Sequence, residues 1–509
     1  MQKPRRCSRR GFLVYRVTVV SRSLVSYIDF LRHQIHRQHM SLAREADTIA
    51  AIATPIGEGG ISVIRISGDH AFDVADLGFR GREALAKAPS HTAHYGSFVD
   101  ETGMPIYNIV ALVFKKPHSY TGENTVELSC HGGQFIVKRI LETVLRYGAR
   151  AAEAGEFTKR AFLNGRIDLT QAEAVADLIR SRSDRAHHSS LSQLNGALSE
   201  QISRLRDQLL ESISLLELEL DFAEDGYEFT EKKRVADQLS QAISEISKLL
   251  SSYRVGKIYR DGVKVALAGA PNVGKSSLLN AFLREERAIV TSVPGTTRDI
   301  IEESVSLEGL LFNIIDTAGL RETADPVERE GVRRAEERQR SCDILLIMLD
   351  CTRPLEPGEA SSVVKLVTDT ESRGASCLVL INKIDLAKTS QIAFVELSEI
   401  LSKHPVLEIS AMTLQGFGRL ESELVRLAMG GSIAPADSGV MITNARHFSV
   451  LQRSKSNLEL ALDSTTSGKS SEFIAVDLRA ALDAIGEILG VVTTEDILNS
   501  IFSRFCIGK

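Results

Sequence analysis

No apolar run in this sequence reaches the roughly 18 residues that a membrane-crossing helix needs, which excludes a helical membrane span. Cysteine is scarce, and Cys7, Cys130, Cys342, Cys351, Cys377 and Cys506 make neither a CxxC pair nor a zinc-ligand spacing. That pattern fits scattered free thiols in a reducing, cytoplasmic setting rather than a disulfide framework or a structural zinc site. Positive charge is not in excess either. The formal net charge is −5, so any contact with nucleic acid must rest on a local patch. What remains is ordinary globular composition, 43% hydrophobic and 25% charged over 509 residues, enough chain for roughly two to four domains.

The amino-terminal stretch departs from that average. Residues 1–40 carry Lys3, Arg5, Arg6, Arg9, Arg10, Arg16, Arg22, Arg32 and Arg37 against one acid, Asp29. An organelle transit peptide has this Arg-rich, acid-poor character. The segment also reads as sequence upstream of a second start, and Met40-Ser41-Leu42, just before the first strand, favours that reading. Residues 1–45 are therefore expected to be a basic extension outside the fold.

The chain is organised around the stretch Gly269 to Ser276. The apolar run Lys264–Ala268 leads into Gly-x-x-x-x-Gly-Lys-Ser, and the helix-forming Ser277–Leu283 follows. This is the context of a phosphate-binding loop: backbone N–H groups around Asn272, Val273, Gly274, Lys275, Ser276 and Ser277 wrap phosphate oxygens. Lys275 reaches the outer phosphates, and Ser276 ligates Mg²⁺.

Three more motifs follow, each at the end of an expected strand. Asp316-Thr317-Ala318-Gly319 comes after Leu311–Ile315, with Asp316 suited to Mg²⁺ through water and the Gly319 N–H to the γ-phosphate. Asn382-Lys383-Ile384-Asp385 comes after Cys377–Ile381. The Asp385 carboxylate can accept from guanine N1–H and the 2-amine, which adenine does not offer, so GTP is selected over ATP. Ser410-Ala411, after Val406–Ile409, fits the loop that backs the base. Between the first two motifs, Thr291-Ser292-Val293-Pro294-Gly295-Thr296-Thr297 stands where a first switch belongs, with Thr297 expected to complete the Mg²⁺ shell. Leu320 follows Gly319 where Ras-like enzymes place a water-orienting glutamine, so another group must activate water. Arg321, Glu322, Glu328 and Arg329 are near in sequence.

Around this segment the patterning predicts a multidomain α+β and α/β fold. An N-terminal α+β domain, 46–162, holds strands at Thr48–Thr54, Ile61–Gly68, Ile109–Phe114 and Thr125–Ser129. A helix with Ile136, Ile140, Val144 and Tyr147 on one face follows them. Thr170 is expected to cap Gln171–Ser181, with Glu173 completing a capping box. Leu198, Ile202, Leu205, Leu209, Ile213, Leu216 and Leu220 form a helical stripe, and Leu239, Ile243, Ile246 and Leu250 another. Helical patterning resumes after Gly430-Gly431-Ser432, at Leu451–Leu462, Asp477–Leu489 and Thr494–Phe502. Two helical blocks, 163–260 and 429–509, thus flank an α/β block at 261–428. The expectation is one all-α helical domain with an inserted Ras-like P-loop G domain.

These residues together resemble the MnmE (TrmE) family, GTPases that modify the wobble uridine of certain tRNAs. The resemblance covers about 46–509 and rests on Asp47-Thr48-Ile49, Arg65-Ile66-Ser67-Gly68, Tyr120-Thr121-Gly122-Glu123 and His131-Gly132-Gly133. It extends through Gly155–Gly165, Asp168-Leu169, Gly295-Thr296-Thr297-Arg298-Asp299 and Phe505-Cys506-Ile507-Gly508-Lys509. It implies an N-terminal domain that forms a homodimer and binds 5-formyl- or 5,10-methylene-tetrahydrofolate, with Arg65, Glu127, Arg166 and Lys509 at the folate positions. It further implies K⁺ held by Asn272, Thr291, Val293 (through its carbonyl) and Thr296, and Glu328 as the water-positioning residue. Glu328, Lys275 and the tail thiol Cys506 are the catalytic candidates. The implied partners are tRNA and an FAD protein resembling MnmG (GidA), in a heterotetramer that places a carboxymethylaminomethyl group at C5 of the uridine. The alternative is a ribosome-assembly GTPase of the Era/Der kind, but the segments flanking the G domain show no KH-like or basic RNA module.

Overall fold

The computed structural model describes residues 47–55, 57–221, 232–284, 302–316, 342–356, 358–386, 397–430 and 439–509. The expected basic extension, the expected switch residues Thr291–Thr297, the run Thr317-Ala318-Gly319-Leu320 and Glu328 lie outside the described residues. The chain divides into two compact units. One ends at Glu173 and takes in Gly486–Lys509, and the other is Ala174–Ile485.

The first unit is built on a seven-stranded sheet. In chain order its strands are β1 (Ile49–Ile52), β2 (Gly59–Ser67), β3 (Phe79–Gly81), β4 (Thr92–Val99), β5 (Pro105–Phe114), β6 (Thr125–Gly132) and β7 (Arg150–Ala151). Their order across the sheet is β3-β4-β5-β6-β2-β1-β7, antiparallel throughout except for the parallel β1–β7 edge. Ile64 and Ile66, Ile109, Ala111 and Val113, and Val126 and Leu128 recur at period two and are buried on one face. The helices Ala71–Gly78 and Gln134–Arg146 cover that face, the second through Val137, Ile140 and Val144. On the opposite face Phe157, from the helix Glu156–Leu163, packs with Ile49, Ala51 and Ala152. The C-terminal tail closes onto this end: Ile507 bridges to Ala154, and Gly508 lies so close to the Ile52 carbonyl that no Cβ would fit.

The expected cap at Thr170 is corrected by the structure. The helix runs Leu169–Arg180, and Thr170 sits inside its first turn. Asp168 accepts from the Gln171 N–H at 3.0 Å, while Gln171 Oε1 accepts from the Asp168 N–H at 3.0 Å. This reciprocal pair is the capping box, set two residues earlier than the Thr170–Glu173 spacing suggested.

In the second unit the helix Ala197–Asp221 buries Leu198, Ile202, Leu205, Leu209, Ile213 and Leu216 as the stripe requires. The helix Lys232–Asp261 buries Leu239, Ile246 and Leu249, with Leu250 only half-buried. A six-stranded sheet follows: β8 (Val263–Ala268), β9 (Glu302–Leu307), β10 (Leu310–Asp316), β11 (Ile344–Asp350), β12 (Ser376–Asn382) and β13 (Val406–Glu408). Its order is β13-β12-β11-β8-β10-β9, parallel except for the β9–β10 hairpin. Every residue of β11 is buried, as expected of a central parallel strand covered on both faces.

The helices on either side of this α/β segment pack on each other. Tyr253 stacks on Phe448 with ring centroids 4.5 Å apart, and Gly256 leaves no room for a side chain beside the Ile442 carbonyl. Gln193 adds hydrogen bonds of 3.1 Å to the Met441 carbonyl and to Thr443 Oγ1. The G-domain segment therefore leaves and re-enters one helical layer. Among the described residues no helix is long and apolar enough to cross a membrane.

Candidate functional site

The phosphate loop follows β8 and ends at the helix Lys275–Arg284, the strand–loop–helix order its motif demands. Three residues bend it into the left-handed region. Gly269 (φ 144°) has the Met348 carbonyl oxygen 2.5 Å from where a Cβ would stand, and Gly274 (φ 106°) presses against the Asn382 amide. The third is Asn272 (φ 62°), a residue type that tolerates this conformation and is exposed here. Lys275 is buried and donates to the carbonyls of Gly269 at 2.7 Å and Ala270 at 2.8 Å, so its ammonium is held over the loop. Ser276 is exposed at the start of the helix.

Asn382 joins the motifs. It is buried at the end of β12, its Nδ2 donates to the Val273 carbonyl at 2.7 Å, and its Oδ1 accepts from the Ala411 N–H at 3.0 Å. One side chain thus fastens the phosphate loop to the Ser410-Ala411 loop. Ser410 is itself fixed, donating its N–H to the Gln415 carbonyl and accepting from the Thr413 N–H at 3.1 Å. Asp385 lies in the single turn Ile384–Leu386 and is exposed, leaving its carboxylate available. Between them Lys383 takes φ 68°, a conformation that costs a non-glycine residue about 1 kcal/mol. Its ammonium reaches Asp350 Oδ2 at 2.6 Å.

Asp350 is absent from the sequence-derived candidates. It closes the apolar strand β11, directly opposite Asn382. Burial pushes its carboxyl upward, but hydrogen bonds from Lys383 and Thr352 outweigh this and hold it below the ordinary carboxylate value. Asp316 closes β10, next to β8 in the sheet.

In the other unit, Arg65 on β2 stands directly across from Glu127 on β6. Its Nε and Nη2 both reach Glu127 Oε1 at 2.8 Å. The guanidinium lies 5.3 Å from the Tyr120 ring and 5.5 Å from the Phe157 ring, so it is held between two aromatic faces and a carboxylate. Arg166 is exposed, with its stem against Gly122 in the same loop as Tyr120. Lys509 is half-buried next to Gly508 and donates its N–H to the Cys506 carbonyl. Cys506 is exposed, whereas Cys130, Cys342, Cys351 and Cys377 are buried. Burial pushes those four thiols up, Cys377 to about 12, which leaves them inert.

Behind the Tyr120–Glu123 loop lies an ion network that the sequence reading missed. Arg160 bonds Asp47 Oδ1 at 2.6 Å, Glu156 at 3.0 Å and Glu123 at 3.2 Å, and Arg150 bonds Asp47 Oδ2 at 2.6 Å and Glu156 at 2.7 Å. Burial pushes the carboxyls of Asp47 and Glu156 up, but the two arginines outweigh it and hold both below the usual range.

Comparison with known proteins agrees with this division of labour along the chain. Residues 48–166 match the GTP-binding protein TrmE N-terminus, and residues 169–506 match the MnmE helical domain. The tRNA modification GTPase MnmE of Symbiobacterium thermophilum is 46% identical over 91% of this chain and 99% of its own length. That of Geobacillus kaustophilus is 42% identical over 91% of this chain and 100% of its own length. Among solved structures, the G domain of the T. maritima FeoB iron transporter is 29% identical, covering 33% of this chain and 98% of its own, with a TM-score of 0.24. Matches that run through both flanking regions and the nucleotide motifs identify more than a nucleotide-binding module: the chain belongs to the MnmE family of tRNA modification GTPases.

Proposed function

We propose that the chain transfers a one-carbon unit from a tetrahydrofolate derivative to C5 of the wobble uridine of certain tRNAs. The product carries a carboxymethylaminomethyl group, made together with an FAD protein resembling MnmG. The reading is carried by one observation, the Arg65–Glu127 pair. Two guanidinium nitrogens converge on a single carboxylate oxygen, so the outward-facing third nitrogen keeps its N–H donors and Glu127 Oε2 keeps acceptor capacity. A pterin, with its amine, ring N–H and carbonyl, carries the groups that a guanidinium donor and a carboxylate acceptor can bind. Arg166 and Lys509 supply cations for the folate carboxylates, and Cys506 is the exposed thiol of the tail.

GTP hydrolysis drives a conformational cycle, because no phosphoryl group enters the product. The chain acts as a cytoplasmic homodimer that joins its FAD partner in a heterotetramer, with residues 46–162, 163–260 with 429–509, and 261–428 as its functional domains. Hydroxyl and amide oxygens suit hard cations. Ser276, with Thr297 and Asp316, would hold Mg²⁺, and Asn272, with Thr291, Val293 and Thr296, would hold K⁺. K⁺ would do the work of an arginine finger, stabilising charge on the phosphoryl oxygens, while Glu328 positions water in place of a glutamine.

One assay series tests both halves. Arg65→Ala is expected to weaken binding of 5-formyl-tetrahydrofolate by about tenfold or more while GTP affinity stays as it was. Unchanged folate affinity would place the folate elsewhere. GTP turnover of the intact chain should fall steeply when NaCl replaces KCl, and equal rates would remove K⁺ from the reading.

A further inference from the structure

The nucleotide motifs leave one buried charge without a task. Asp350 is 5% exposed, yet it is ionised and belongs to none of the four GTP motifs. Its two oxygens do different things. Oδ1 accepts the Thr352 N–H at 2.9 Å and the Thr352 hydroxyl at 2.6 Å, which fixes the carboxylate plane. Oδ2 faces the other way and accepts the Lys383 ammonium at 2.6 Å. Lys383 is itself held in a left-handed backbone between two functional neighbours. On one side Asn382 grips the phosphate loop, and two residues on the other stands the exposed carboxylate of Asp385. Strain of this kind persists only where the surroundings over-determine it.

We propose that Asp350 is a positioning residue for guanine nucleotides. By fixing the Lys383 ammonium, it sets the long Lys383 stem as a preformed wall between the phosphate loop and the base-reading carboxylate. A lysine stem free in solution loses rotamer freedom when a nucleotide packs on it, and a stem already ordered by its counter-ion does not. Asp350 thereby raises affinity without touching the ligand. This inference rests on the reading of Asn382–Asp385 as the guanine motif.

The test uses the full chain, with GDP as the probe in calorimetry. Asp350→Asn keeps the shape and an acceptor for Thr352 but turns an N–H₂ group toward the ammonium, which releases Lys383. The Kd for GDP is expected to rise about tenfold. In a Lys383→Ala background the same substitution should add less than about twofold, since the residue acts through Lys383. Thr352→Val, which keeps the Asp350 charge and removes one hydrogen bond, should raise Kd by about threefold and serves if Asp350→Asn fails to fold. Wild-type affinity in both variants, or a full tenfold loss without Lys383, would overturn the proposal. Asp385→Ala separates the two claims: if it leaves GDP affinity unchanged, the motif reading fails; if it weakens GDP while Asp350→Asn does not, only the role of Asp350 fails.

Discussion

Asp385→Asn is expected to weaken GDP binding by about two orders of magnitude and to make xanthosine diphosphate the preferred ligand. In the proposed base-reading role Asp385 meets two donors of guanine, the ring N1–H and the 2-amine, and a carboxylate accepts both. Asparagine keeps one acceptor but sets an N–H₂ group against the 2-amine, so one hydrogen bond is lost and two donors face each other. Xanthine carries a carbonyl at that carbon, and the asparagine amide then matches it at both positions. The swap is confined to the base edge, because Asp385 is exposed in a short turn and the Asn382 bonds that tie the loops together stay in place. Competition between GDP and xanthosine diphosphate in titration calorimetry checks it. Retained guanine preference would remove Asp385 from base reading.

Arg160→Met is expected to destabilise the unit that contains the Tyr120–Glu123 loop by about 3 kcal/mol or more at neutral pH. The Arg160 side chain is 10% exposed and meets Asp47, Glu123 and Glu156, so its removal leaves three carboxylates facing one another around Arg150 alone. For a unit of this size that shifts its melting transition down by roughly 10 °C. The pH dependence has a definite sign. Asp47 and Glu156 have depressed folded values, so the stability they contribute is complete above their unfolded values, about 4, and is lost as pH falls below them. The gap between wild type and Arg160→Met should therefore narrow below about pH 4. Calorimetric melts across that range check it, and a gap that widens on acidification would contradict the ion-network assignment.

The nucleotide site was largely legible because its chemistry is local. Glycines at fixed offsets, an asparagine and an aspartate three residues apart, and apolar runs before each motif can be counted along the chain. Asp350 escaped because nothing nearby marks it. It is a single acid at the end of an apolar strand, and its partner Lys383 lies 33 positions on. The Arg160 network escaped for the same reason, since Asp47 is 113 positions from Arg160.

In the fold, β5 announced itself as a continuous apolar run and β6 through alternating aliphatics, and β4 did neither. Its core-facing side carries Thr92, His94 and Gly96 before it reaches the buried Phe98, and Gly96 is there to admit the Phe79 ring, which fills the space a side chain would take. The capping box shifted because Asp168 and Thr170 are both good caps by type. Asp168 prevailed because it pairs with Gln171, whereas Thr170 lies buried inside the first turn.

The most direct measurement is nucleoside mass spectrometry of tRNA from cells that lack this chain, restored with the wild type or with Arg65→Ala. Loss of the C5-substituted wobble uridine in the deletion, its return with the wild type and its continued absence with Arg65→Ala are the expected results. A full complement of the modified uridine in cells without the chain would contradict a role in tRNA modification.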